Sequence, residues 1–121
     1  MAVIELTKDN INDTIENNDI VIIDFWAPWC GPCRSFKPIF EDASGRHDDV
    51  TFAACNTEEE NEIASMFQIR SIPTLVVFRE KVAVYGQPGM LPKETLDSLL
   101  DKVRELDMSE VHAKVAAQHQ A

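Results

Sequence analysis

The run "DIVIIDFWA" is almost continuously apolar from Ile20 to Ala27 and rich in β-branched residues. It leaves such a strand no polar face to turn toward water, so the strand must lie mid-sheet with both faces covered. Asp24 interrupts the pattern. Strand alternation puts it on the same face as Ile22 and Trp26, where an ionised carboxylate is poorly solvated and its pKa is expected to rise. The alternative is an Asp24 at a strand end, solvated or hydrogen-bonded to backbone. Directly after this run come Cys30 and Cys33, separated by Gly31 and Pro32.

The rest of the chain supplies the layers such a strand needs. "VIEL" reads as a short first strand, and "TKDNINDTIENN" as a helix with Thr7 as N-cap and Ile11 and Ile15 one turn apart. After the cysteine turn, Phe36, Phe40 and Ala43 recur at helical spacing, and Pro38 is expected to kink that helix. "VTFAACN" is the next strand. "TEEENEIASMFQI" reads as a helix capped by Thr57, with acids in its first turn and Ile63, Met66 and Phe67 inward. "TLVVF" and "VAVY" flank "REK" as an antiparallel hairpin. Leu96, Leu99, Leu100, Val103 and Leu106 form the stripe of a last helix of about four turns, with Pro92 near its start. Beyond it, "DMSEVHAKVAAQHQA" forms a short helix capped by Ser109, with Val111 and Val115 on one side, or frays.

Length and charge narrow the class. The chain has 121 residues, 45% of them apolar, which fits one domain with a real core and no bilayer-spanning segment. A formal net charge of -10 argues against a nucleic-acid partner. "MAVIELTKDN" lacks the pattern of a secretory signal, so the expected site of action is cytoplasmic. In that reducing setting a close cysteine pair points to catalysis or metal binding rather than to a structural staple.

A strand-to-helix junction gives the pair its chemistry. Cys30, at a helix N-terminus, meets free N–H groups and the positive end of the helix dipole, which stabilise a thiolate and make it the expected nucleophile. Cys33, one turn further in, is the expected resolving thiol. Asp24 nearby would pass protons to and from Cys33. A zinc site is the competing account, but it needs two more ligands. Cys55, His47, His112 and His119 are scattered, and no metal is expected. Cys55 itself reads as a small buried hydrophobe.

"DFWAPWCGPC", followed by "SIPT" and by the glycine of "QPGM", resembles the thioredoxin family, in order from about Val3 to Leu106. The resemblance implies an α/β thioredoxin fold: a central mixed five-stranded sheet flanked by four helices, with a domain over residues 1–106 and an extension over 107–121. It implies a protein-disulfide reductase with Cys30 as nucleophile, Cys33 as its buried partner and Asp24 as the buried acid. Trp29, Gly31, Pro32, Ile72, Pro73 and Gly89 would form the substrate surface. Pro73 corresponds to a cis-proline, and Ile72 to the backbone that pairs with an extended substrate. Trp26 matches an inner tryptophan, although core packing accounts for it equally well.

Two departures stand out. Ala54 occupies the position of a lysine frequent in the family, which should raise the Asp24 pKa further. "REK" replaces the usual hairpin glycine. The implied partners are a flavin-containing thioredoxin reductase and diverse protein disulfides, with no bound cofactor and a monomeric state. A binding module on the same fold, and an oxidase of an oxidising compartment, are the competing functions; Gly-Pro between the cysteines disfavours the latter.

Overall fold

The computed structural model describes residues 3–120; the first two residues of the expected domain and the last of the extension lie outside it. Five strands and, among the described residues, five helices follow in the order β1 (Ile4–Glu5), α1 (Ile11–Glu16), β2 (Ile20–Trp26), α2 (Gly31–Arg46), β3 (Val50–Asn56), α3 (Asn61–Met66), β4 (Thr74–Arg79), β5 (Val82–Pro88), α4 (Lys93–Glu105) and α5 (Met108–Gln120). The sheet order is β1-β3-β2-β4-β5. β1, β3 and β2 pair in parallel, while β4 pairs antiparallel to both β2 and β5. The apolar run therefore occupies the centre of a mixed sheet.

Alternation along β2 divides the core. Ile20 and Ile22 face one side with Phe36, Phe40, Phe52, Leu96 and Leu100. Val21, Ile23 and Phe25 face the other with Leu6, Ile63 and Cys55. Phe36 is fully buried three residues after Cys33, so its packing holds the start of α2 against the sheet. Truncating it to alanine would cost about 3–5 kcal/mol.

Several local expectations are corrected. Thr7 is not the cap of α1; that position belongs to Asn10, whose side chain instead ties Thr7 N–H and the Glu5 carbonyl together. Thr57 does not cap α3, which starts after Glu60; its N–H and hydroxyl both donate to the Trp26 carbonyl. The acids Glu58, Glu59 and Glu60 thus lie in the preceding turn, leaving Glu62 in the first turn of the helix. The short helix also leaves Met66 74% exposed, whereas Ile63 is buried. Pro38 lies inside α2, where it lacks the N–H that would reach the Arg34 carbonyl.

The extension is a full helix, so five helices replace the expected four. Its first turn is held by Asp107, which accepts from Ser109 N–H, Glu110 N–H and the Ser109 hydroxyl; Ser109 is therefore not the cap. Met108 is buried, and His112 meets Glu80 at 2.8 Å, fastening α5 to the hairpin turn. In that turn Glu80 and Lys81 have φ values of 49° and 71°, the left-handed pair a two-residue hairpin demands and that Asn-Gly usually supplies. Beside it, Nη1 of Arg79 donates to the carbonyls of Val103, Arg104 and Leu106, closing the C-terminus of α4.

Candidate functional site

At the carboxyl end of β2, the chain leaves the sheet through Ala27 and Pro28 and enters α2 at Cys30. Cys30 is the N-cap, in extended backbone conformation, with Pro32 in the first turn. Pro32 fits there because that N–H would lack an intrahelical partner in any case. Cys30 and Cys33 are joined as a disulfide with Cα atoms 5.2 Å apart. The Cys33 N–H donates to Cys30 Sγ at 3.2 Å, so an orphan donor of the helix start points at the first sulfur. Nη1 of Arg34 donates to the Pro28 carbonyl at 2.9 Å and braces the turn; its position directly after the pair was its only sequence signal.

Residues distant in sequence complete the surface. The Ile72–Pro73 bond is cis, and the Ile72 carbonyl lies 3.8 Å from Cys30 Sγ. Gly89, with φ at +102°, donates its N–H to the Pro73 carbonyl at 2.7 Å. That positive φ is one a side chain would strain. Trp29 is 67% exposed, Gly31 and Pro32 are exposed, and Ile72 is half-buried. Cys30, Trp29, Gly31, Pro32, Ile72, Pro73 and Gly89 thus come together at one end of the sheet, around a sulfur pair itself almost wholly buried.

Asp24 lies behind this surface. It and Cys33 line one cavity of about 640 Å³, together with Trp26 and Ala54. Asp24 is only 5% exposed, and its Oδ1 has no hydrogen-bond partner among the described residues. Burial pushes its carboxyl from 3.8 up to about 7. Ala54 stands beside Asp24 in the β2–β3 register, so the position expected to lack a cation is indeed next to the acid. Cys55 pairs with Phe25 and packs on the opposite side of the sheet. Burial, with Glu60 adding to it, pushes that thiol up to about 12.

Among the described residues, no helix is long and apolar enough to cross a membrane. The family described as Thioredoxin matches residues 2–102. A putative thioredoxin 2 of Streptomyces coelicolor is 47% identical over 117 residues, covering 97% of this chain and 87% of that protein. The alignment therefore includes at least part of α5. A thioredoxin of Alicyclobacillus acidocaldarius is 42% identical over 103 residues, or 84% and 98% of the two chains. Among solved structures, a mutant thioredoxin from Halobacterium salinarum superposes with a TM-score of 0.79 at 29% identity, covering 88% of this chain and 97% of that one. Fold, cysteine turn and relatives agree, and the chain belongs to the thioredoxin family.

Proposed function

We propose that Cys30 and Cys33 carry the dithiol–disulfide exchange of the family, with Asp24 as the acid–base group and Trp29, Gly31, Pro32, Ile72, Pro73 and Gly89 as the substrate surface. The chain is a dithiol–disulfide oxidoreductase. The observation that carries the residue assignment is the Cys30–Cys33 disulfide at the start of α2, with the Cys33 N–H on Cys30 Sγ and the Ile72 carbonyl beside it.

In the reduced protein the same N–H and the helix dipole stabilise the Cys30 thiolate. The thiolate attacks one sulfur of a substrate disulfide; a Cys30–substrate bond forms, the substrate S–S bond breaks, and one substrate thiolate leaves and takes a proton. Asp24 accepts the Cys33 proton, and the resulting Cys33 thiolate attacks Cys30 Sγ. The second substrate thiolate leaves and is protonated. Two electrons have passed to the substrate and the Cys30–Cys33 disulfide is regenerated; the two substrate thiolates take one proton from the Asp24 carboxyl and one from water, which received the Cys30 proton when its thiolate formed.

Affinity comes from the exposed Trp29 and from the backbone of Ile72, whose N–H makes no hydrogen bond among the described residues and is free to pair with an extended segment. Main-chain pairing is indifferent to side-chain sequence, which suits diverse protein disulfides. Thioredoxins act with a thioredoxin reductase; in this reading a flavin-containing enzyme of that kind reopens the disulfide. The protein itself works as a monomer without bound cofactor in the cytoplasm.

Insulin reduction in the presence of dithiothreitol tests the assignment. Cys30→Ser should abolish turnover, and reduced Cys33→Ser mixed with oxidised insulin after dithiothreitol is removed should trap a covalent Cys30–substrate adduct visible by mass. An adduct through Cys55 in Cys33→Ser, or one through Cys33 in Cys30→Ser that still turns over, would overturn the roles.

A further inference from the structure

The cavity beside Asp24 contains a second feature the exchange reaction has not used. Ala54 contributes only a methyl group where the β2–β3 register sets it next to the acid, and this leaves the space open. Among the described residues two cations reach that space, both from α2: Arg34 and Lys37. Arg34 is already engaged, its Nη1 on the Pro28 carbonyl. The Lys37 side chain makes no hydrogen bond or ion pair among the described residues. It lies one helical turn beyond Cys33 and so shares that face of the helix.

The other charges facing the cavity among the described residues are carboxylates: Glu5 from β1, Glu41 from α2 and Glu59 from the turn after β3. All three are exposed and keep water as their solvent. Asp24 alone is enclosed, with Oδ1 unpartnered. An ionised carboxylate in that position has lost its water and gains most from an opposite charge brought to it.

We propose that Lys37 is the positioning residue of the proton step, its ammonium entering the cavity to face Asp24 when the acid is ionised and returning to solvent when the acid is neutral. The flexible four-carbon stem permits both placements at little cost. The cation that the third strand lacks at Ala54 is supplied from the helix. When Asp24 takes the proton from Cys33 its charge disappears, the attraction ends, and Lys37 is released. The step moves one proton from Cys33 Sγ to the Asp24 carboxyl and changes no other bond.

This inference rests on the role given to Asp24 above, and its test reads Asp24 directly. The Asp24 carboxyl would be titrated by carbon-13 NMR in the reduced full-length protein and in Lys37→Met and Lys37→Arg variants. The pH profile of insulin reduction would be recorded beside each titration. Lys37→Met, which keeps the apolar stem, should move the Asp24 midpoint upward by about one pH unit, and Lys37→Arg should restore it toward the parent value. The pH profile should move with the midpoint. An unmoved midpoint in Lys37→Met overturns the pairing, as does an equal displacement in both variants, which would mark a merely structural effect. A midpoint that moves while the pH profile stays fixed upholds the pairing and overturns the proton-transfer role of Asp24.

Discussion

Asn at position 24 should make this protein more stable, and by an amount that grows with pH. Asp24 titrates near 3.8 in an unfolded chain and at about 7 when buried in the fold. A carboxyl whose folded pKa is raised holds its proton more tightly in the native state. Stability from this group is therefore complete below about 3.8 and is lost as pH rises toward 7. The loss runs at about 1.4 kcal/mol per pH unit and levels off near 4 kcal/mol above the folded midpoint. Asp24→Asn keeps the shape and a neutral polar group in the same place, so the unpaired Oδ1 affects parent and variant alike. Only the titration separates them. Urea unfolding of both oxidised proteins, followed by Trp fluorescence from pH 5.5 to 9, should show curves that diverge up to about pH 7 and then run parallel. The sequence pI near 4.6 sets the practical lower limit. Every pH unit by which Lys37 lowers the native midpoint removes about 1.4 kcal/mol from the plateau. Curves that stay parallel throughout would refute the assignment of Asp24 as a buried acid titrating near neutrality.

Other expectations follow from single contacts. Lys81→Gly relieves a left-handed backbone and should raise stability by about 1 kcal/mol in urea, with insulin reduction unchanged. Arg79→Met removes the guanidinium from three carbonyls at the end of α4. It should cost about 1–3 kcal/mol and speed amide exchange in the last turn of that helix. Cys55, buried and held at about 12, should resist iodoacetamide at pH 8 in the reduced native protein while Cys30 reacts; equal labelling would contradict its burial.

What could be read from the sequence was what depends on near neighbours. The bounds of β2 and β3 follow from largely apolar runs, and the start of α2 from Pro32 beside Cys30. Caps failed at Thr7 and Thr57 because each hydroxyl is used elsewhere: that of Thr7 accepts from Asp9 N–H in the turn ahead of α1, and that of Thr57 donates to the Trp26 carbonyl. Met66, inward by its spacing from Ile63, is the last residue of the short helix and lies exposed there. α5 was uncertain because its apolar stripe is thin. Its fastening residues, Met108 beneath it and Glu80 across from His112, come from folding rather than from pattern. The site divides in the same way. Cys30, Cys33 and Asp24 lie within ten positions, whereas the approach of Lys37 and Ala54 to one cavity is a relation between a helix and a strand that no spacing encodes.

The redox ring spans only Cys30 to Cys33. In the chain-entropy account, closing so small a loop restrains the unfolded polypeptide by only about 2 kcal/mol, against nearly 5 for a loop of about 100 residues. The bond that is made and broken in every turnover is thus one the scaffold barely relies on. Oxidant and reductant act on a component the architecture can do without, and the domain can be spent and recharged repeatedly while its framework stays the same.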